Sequence, residues 1–145
     1  MLTVIQRVTS AHVVVGNETI GEIKTGLVAL LAIEKGDTKE QAKQLIDRVL
    51  AYRIFADQEG KMNLSLRDIN GGLLLIPQFT LAANTTKGNR PSFTPAETPT
   101  IAMPLFEQTL SYAKAQHTCV AGSRFGTDMQ VNLSNDGPVT FILRT

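Results

Sequence analysis

The residues best suited to chemistry are concentrated in the stretch PQFTLAANTTKGNRPSF, which begins at Pro77. An apolar, strand-like run enters this stretch and meets the proline, which cannot donate to a sheet ladder. A break there would free backbone groups of Gln78, Phe79 and Thr80 to contact a ligand instead of a neighbouring strand. The stretch therefore predicts a binding or catalytic site built largely from main-chain atoms.

The stretch continues as a polar loop that carries two cations and no acid. From Ile69 to Ala96 the only charged residues are Lys87 and Arg90, so an anion could approach this segment without repulsion from it. The whole chain has a net charge of only +1, which excludes strong long-range attraction of nucleic acid. Two readings stay open: an anion-binding loop, or a loop that is merely solvated.

Standard catalytic signatures are absent from the chain. It contains no G-x-S-x-G elbow, P-loop, G-x-G-x-x-G or H-E-x-x-H motif. His12 falls in a strand pattern and His117 ends a helix pattern, so both are expected to be structural, and Cys119 is expected to be a small core residue. One cysteine and two histidines offer no disulfide and no metal-ligand pair, so no metal or other cofactor is expected.

The composition is that of one ordinary globular domain spanning residues 1–145. Apolar residues make up 43% of the chain and charged residues 19%, which excludes a disordered protein. No apolar run reaches the ~20 residues needed to cross a bilayer, and the first seven residues have a strand pattern and not that of a signal peptide. We therefore expect a cytoplasmic protein with no membrane partner.

Strand patterns dominate the first part of the chain. Leu2–Val15 and Glu18–Ile23 are separated by a Gly-Asn turn and predict a hairpin. Leu27–Ile33 is continuously apolar, the mark of a strand covered on both faces. A short strand is expected at Arg53–Ala56.

Two helices are expected. Apolar residues at helical spacing predict the first from about Thr38 to Tyr52, begun by a capping box of Asp37 and Glu40. The second begins with a cap and a proline at 98–99, and its interior Pro104 implies either a later start, at 103–104, or a kink.

The remaining strands complete a mixed sheet. Leu73–Leu81 is expected as a strand broken at the proline, and Met129–Ser134 and Val139–Leu143 as two strands joined by a turn at 135–138. The predicted class is α/β, a single domain with mixed or antiparallel sheets and two main helices packed on one side.

Six motifs occur in one order along the whole chain and together resemble the D-aminoacyl-tRNA deacylase family, first described as D-tyrosyl-tRNA deacylases. Any one motif alone is weak evidence, but the set, its spacing and the chain length are specific. The motifs are Ile5-Gln6-Arg7-Val8; Tyr52-Arg53-Ile54-Phe55 with Gly60-Lys61-Met62-Asn63-Leu64; Gln78-Phe79-Thr80-Leu81-Ala82; Lys87-Gly88-x-Arg90-Pro91-Ser92-Phe93; Asp128-Met129-Gln130-Val131; and Asn135-Asp136-Gly137-Pro138-Val139-Thr140.

The resemblance implies a homodimer that hydrolyses the ester between a D-amino acid and the terminal adenosine of tRNA. Gln78, Phe79 and Thr80 of one subunit would form the catalytic pocket. Gly137 and Pro138 of the partner subunit, in the cis form, would cross the interface as a chiral gate. The partner molecule would be the aminoacylated 3′ end of tRNA, not DNA.

Five further roles follow from the same resemblance. Arg7 would fix the Gly-Pro loop, and Phe125 and Met129 would line the adenine side of the pocket. Lys87 and Arg90 would contact phosphates at the acceptor end. Recognition would then be of the end of the tRNA and not of its sequence.

A gate made of backbone has a physical rationale. An enzyme that serves many D-amino acids must read the groups around Cα, and glycine lets a backbone carbonyl approach them without a Cβ in the way. An L side chain would clash with the gate, whereas a D side chain would point to solvent. Glycine has no side chain to reject, so glycyl-tRNA is expected to be hydrolysed too.

The chain departs from the family at Pro77, where serine is usual. If activity is retained, neither a hydroxyl nor an N–H at this position is essential, and the N–H groups of Phe79 and Thr80 remain as oxyanion donors. Thr80 could be a nucleophile, a positioning hydroxyl or purely structural. A nucleophilic threonine needs a base, and none is evident, so an attacking water assisted by the substrate's own ribose hydroxyl fits better.

Three rival readings stay open. They are the editing module of archaeal threonyl-tRNA synthetases, the animal relative that removes L-alanine from the wrong tRNA, and a dimeric RNA-end binding protein that has lost its chemistry. The intact Asn-x-Gly-Pro-Val-Thr ending and the standalone length favour the D-specific family.

Overall fold

The computed structural model describes residues 1–145 and contains eight strands, three α-helices and one turn of 3₁₀ helix at Phe79–Ala82. In chain order, the remaining elements are β1 (Leu2–Val15), β2 (Glu18–Ile23), β3 (Gly26–Ala32), α1 (Lys39–Ala51), β4 (Phe55–Ala56), β5 (Met62–Leu64), α2 (Leu66–Ile69), β6 (Gly72–Pro77), α3 (Pro99–Gln116), β7 (Val120–Gly122) and β8 (Gln130–Arg144).

A six-stranded mixed sheet organises these elements. Its order is β2-β1-β3-β6-β7, and β8 pairs with the other edge of β1. The β1 pairings are all antiparallel, whereas β3, β6 and β7 run parallel to one another. The predicted α/β class with a mixed sheet is confirmed, as is the hairpin of β1 and β2. No helix is long and apolar enough to cross a bilayer.

The core lies on both faces of the two central strands. Alternate residues of β3 and β6 point to opposite sides, so that Leu27 and Leu73 join the large cluster under the helices while Val28 and Leu74 join a smaller cluster on the other face. Burial of each such side chain stabilises the fold by ~1.5–3 kcal/mol. The continuous apolar runs arise because neither face of these strands meets water.

Helix α1 has the predicted buried face but not the predicted cap. Thr38, one residue later than expected, accepts from the N–H of Gln41 (3.3 Å), and the Gln41 side chain accepts from the N–H of Thr38 (2.8 Å). The proposed box of Asp37 and Glu40 is therefore wrong. Asp37 instead accepts from the α-amino nitrogen of Met1 and from a backbone N–H, each at 2.6 Å.

Helix α3 begins at Pro99 and continues through Pro104. A start at 103–104 is thus excluded. Pro104 lies within the second turn, where it removes one backbone hydrogen bond of the helix. Its buried face includes Phe106 and Ala113.

The last two predicted strands are one strand with an outward bulge. Both halves of β8 pair antiparallel with β1, with Asn135 opposite Val8 and Thr140 opposite Gln6. From Asn135 to Thr140 the chain advances five residues along β8, whereas the paired positions on β1 are only two residues apart, so three residues of β8 are extruded. The turn-like residues 136–138 form this extrusion and not a hairpin, and we call it the corner.

Candidate active site

The proline at the end of β6 ends the strand, as predicted, but the chain does not form a strand again. Pro77 is paired with Leu31, and the N–H of Gln78 still donates to the carbonyl of Leu31 (2.7 Å). Phe79 and Thr80 then begin the 3₁₀ helix, where the first amides have no acceptor within the helix. The expected strand at 79–81 is therefore wrong, and two of the three expected backbone N–H groups are free.

A groove of about 1280 Å³ opens beside this break. Gln78, Phe79, Phe125 and Met129, four of the predicted site residues, line it. Thr80 is exposed at the margin, and its hydroxyl accepts a hydrogen bond from the amide nitrogen of Gln78. The pocket and adenine-side residues are thus brought together.

No base lies within hydrogen-bonding reach of the Thr80 hydroxyl. Its one partner is the side-chain amide of Gln78, which cannot take up a proton at neutral pH. His12 is exposed on β1, and the buried His117 donates from Nε2 to the carbonyl of Gly71 (2.6 Å). Neither histidine lines the groove, so a covalent role for Thr80 has no structural support.

The groove also contains charged residues that sequence reasoning missed, namely Lys35, Glu97 and Asp128. Glu97 accepts from the N–H (2.7 Å) and the hydroxyl (3.3 Å) of Thr98. The backbone N–H of Thr98 holds the pKa of Glu97 below its ordinary value, which makes this carboxylate a poor general base. No local pattern marks Lys35 and Glu97, because distant segments bring them to the groove, whereas Asp128 lies in one of the six motifs, directly before Met129.

The cationic loop adjoins the groove. Lys87 and Arg90 are exposed and pair with no acid, and reciprocal backbone bonds between Asn84 and Ser92 close the loop at its base. The next residue, Phe93, meets Phe79 edge to face at 5.1 Å between ring centroids. Phe93 lines the groove and was not predicted as a site residue, although an aromatic residue directly after a basic loop is a usable signal.

The expected core position of Cys119 is wrong, since this thiol is exposed.

The corner of β8 is held tightly by Arg7. The Arg7 Nε atom lies 3.1 Å from the carbonyl oxygen of Asp136 and 3.1 Å from its carboxylate, and another guanidinium nitrogen donates to the carbonyl of Ile54 (2.8 Å). The Gly137–Pro138 peptide bond is cis. Gly137 has a φ of +132°, and a Cβ there would lie 2.6 Å from Val139 Cγ2.

Within one chain, the corner does not line the groove. Pro77 is opposite Leu31, which is opposite Thr3, whereas the corner leaves the sheet beside Arg7. Neither Gly137 nor Pro138 is among the residues that line the groove. The structure therefore does not bring Gly137 and Pro138 to the pocket of their own chain.

Comparison with known proteins gives one consistent result. A protein-family model described as "D-Tyr-tRNA(Tyr) deacylase" matches residues 4–144. A D-aminoacyl-tRNA deacylase of Herminiimonas arsenicoxydans is 55% identical over 144 residues, which cover 99% of this chain and 97% of that protein. One of Nitrosococcus oceani is 54% identical over 144 residues, covering 99% and 93%.

Two solved structures share the fold of the chain. A protein described as "c-Myc DNA Unwinding Element Binding Protein" is 35% identical, with a TM-score of 0.95 and coverage of 100% of this chain and 99% of that one. A structure described as a probable eukaryotic D-amino acid tRNA deacylase has a TM-score of 0.82 at 15% identity, covers 98% and 97%, and shows the fold alone. From the match over nearly its whole length and its relatives above half identity, the chain belongs to the D-aminoacyl-tRNA deacylase family, hydrolases of aminoacyl-tRNA esters.

Proposed function

We propose that this protein hydrolyses the ester between a D-amino acid and the terminal adenosine of tRNA, hydrolyses glycyl-tRNA as well, and rejects L-aminoacyl-tRNA through a gate supplied by a second copy. One observation carries the chiral part of this proposal. The chain has a groove suited to the ester and a tightly held backbone corner, and the corner does not line the groove of its own chain.

The ester would lie against the start of the 3₁₀ helix. The free N–H groups of Phe79 and Thr80 are the available donors for the developing oxyanion, and one such donor is worth about 2.7–4 kcal/mol in other hydrolases. Gln78 holds the Thr80 hydroxyl, which positions the substrate or water. Because no base adjoins that hydroxyl, a water attacks the ester carbon and the neighbouring ribose hydroxyl of the substrate assists the proton transfer.

The rest of the groove accounts for recognition of the tRNA end. Phe125 and Met129 offer half-buried apolar surface to the terminal adenine. Lys87 and Arg90, unpaired on the adjoining loop, contact acceptor-end phosphates. With a net charge of +1, the protein reads the end of an RNA strand and not a length of duplex DNA, and its substrate places it in the cytoplasm.

A second copy of the chain would cover the margin of the groove. Four of the seven exposed large apolar side chains line it, namely Phe79, Phe93, Met103 and Val131. Such a concentration marks an interaction surface. In a homodimer this surface meets the partner, and the partner's corner enters the groove, which the corner does not line in its own chain.

The gate selects by the geometry around Cα. A carbonyl of the corner accepts from the substrate ammonium, while the ester is fixed at the 3₁₀ helix. With both ends held, an L side chain points into the Gly137–Pro138 backbone and a D side chain points to solvent. A glycyl ester has no side chain that the gate could exclude, so it is hydrolysed.

The test is deacylation of matched D-tyrosyl-, L-tyrosyl- and glycyl-tRNA at equal concentrations. We expect rapid hydrolysis of the D and glycyl esters and hydrolysis of the L ester slower by at least a hundredfold, about 2.7 kcal/mol in transition-state free energy. Similar rates on the D and L esters, or an inert glycyl ester, would contradict the gate. Binding of all three without hydrolysis would favour the RNA-end binding alternative.

A further inference from the structure

The corner is held from within β8 as well as by Arg7. The side-chain oxygen of Asn135 accepts from the N–H of Val139 (2.8 Å), and its amide nitrogen donates to the hydroxyl of Thr140 (3.0 Å). One amide group thus joins the residue before the extruded segment to the two residues after it. Gln6 of β1 donates to the same hydroxyl (3.3 Å), which extends the connection to the neighbouring strand.

These bonds replace the ladder that the bulge removes. Between the register positions of Val8 and Gln6, the extruded residues have no partner on β1. An extrusion of this kind, exposed on its outer side, would otherwise move independently of the sheet. Arg7 fixes the start of the extruded segment, through the carbonyl of Asp136. The Asn135 side chain fixes its end, through the bonds to Val139 and Thr140.

We propose that Asn135 is a positioning residue for chiral selection, and this inference rests on the proposed gate. Asn135 does not touch the substrate. It fixes the positions of the corner carbonyls, because its hydrogen bond to the N–H of Val139 joins the two ends of the extruded segment. A looser corner yields to an L side chain, so loss of Asn135 raises hydrolysis of the L ester more than it changes hydrolysis of the D ester.

The experiment compares D/L rate ratios for two substitutions of the same residue. Asn135→Ala removes both hydrogen bonds and is expected to lower the ratio of D- to L-tyrosyl-tRNA deacylation about tenfold, mainly through a faster L reaction. Asn135→Asp keeps an acceptor for Val139 and one for the Thr140 hydroxyl proton, so it should restore the ratio to within about threefold of wild type. Asn132→Ala is the matched control, since Asn132 lies exposed on β8 with no side-chain hydrogen bond.

The outcomes separate this inference from the proposed function. An unchanged ratio in Asn135→Ala, or a parallel fall of both rates with a lower melting temperature, would overturn the positioning role. If Asn135→Ala does not fold, Thr140→Val removes the shared hydroxyl with little change of shape and should lower the ratio in the same direction. A wild-type ratio near one would contradict the gate itself, whatever the variants do.

Discussion

The substitution Gly137→Ala tests the packing of the corner and its role together. At a φ of +132° an L residue is strained by about 1–3 kcal/mol. The new Cβ would also lie 2.6 Å from Val139 Cγ2 and 3.2 Å from an Arg7 guanidinium nitrogen, and overpacking of this kind costs about 1–3 kcal/mol when nothing moves. Because the corner is exposed, it relaxes by moving, so we expect a net loss of about 2 kcal/mol.

A second glycine provides the control. Gly16 has a φ of +61°, and a Cβ added there would meet no atom within 4 Å, so Gly16→Ala carries only a left-handed backbone penalty of about 1–2 kcal/mol. It lies in the β1–β2 turn and does not line the groove or belong to the corner. Any loss of selectivity in Gly137→Ala but not in Gly16→Ala is then due to the displaced corner.

The assay combines thermal unfolding with deacylation of D- and L-tyrosyl-tRNA. For a chain of this size, a loss of about 2 kcal/mol lowers Tm by roughly 4–8 °C, and we expect the D/L ratio to fall at least tenfold. Gly137→Ala that keeps the wild-type ratio would refute the gate, and Gly137→Ala that melts with the wild type would refute the tight packing.

Four further predictions concern the groove and its loop. Thr80→Val should keep turnover within about tenfold, because the hydroxyl has no base, whereas a 2′-deoxy terminal adenosine should react far more slowly; a loss above about 10³-fold in the variant would restore covalent catalysis. Pro77→Ser should leave kcat/KM nearly unchanged, since neither a hydroxyl nor an N–H is needed there; a large gain in rate would show that the proline impairs catalysis. Lys87→Ala/Arg90→Ala should weaken tRNA binding and reduce the log–log salt slope by roughly 0.7 per lost phosphate contact; unchanged binding in a filter assay would exclude the loop. The folded-state pKa of Glu97 is lowered, so the ionised carboxylate stabilises the fold above the unfolded pKa, and this stabilisation is lost as pH falls through the folded pKa. Urea unfolding should therefore show Glu97→Gln to be less stable than wild type at pH 7, with the difference vanishing on acidification.

Burial patterns made much of the fold predictable. The all-apolar runs of β3 and β6 and the helical spacing in α1 report directly which faces meet water, and these elements were predicted correctly. Local chemistry was less decisive. Asp37 and Thr38 can each begin a helix, and the choice depends on the amino group of Met1, far away in sequence, which binds Asp37.

The corner shows most clearly why some features could not be predicted. Asn135-Asp136-Gly137-Pro138 is typical of a turn, and only the pairing of both flanks with β1 shows that the strand continues in one direction. Likewise, Phe79-Thr80-Leu81 has the composition of a strand, but the pairing of β6 with β3 ends at Pro77.

The candidate site followed the same division. Residues contiguous in sequence, such as Gln78 and Phe79, were predicted from the break at Pro77 and do line the groove. Lys35 and Glu97 line it as well, but they come from loops that approach only in the folded chain. A composite site of this kind has no signature in any single segment.

Mixed dimers test the central proposal most directly. One subunit would carry Gly137→Ala, with an intact groove and a displaced corner, and the other Gln78→Trp, chosen to block its groove and confirmed inactive as a homodimer. In the purified heterodimer the single working groove faces the intact corner of the blocked subunit. We predict the D/L ratio of the wild-type enzyme; a ratio as low as that of the Gly137→Ala homodimer, or failure of the two chains to associate, would contradict a gate supplied by the partner.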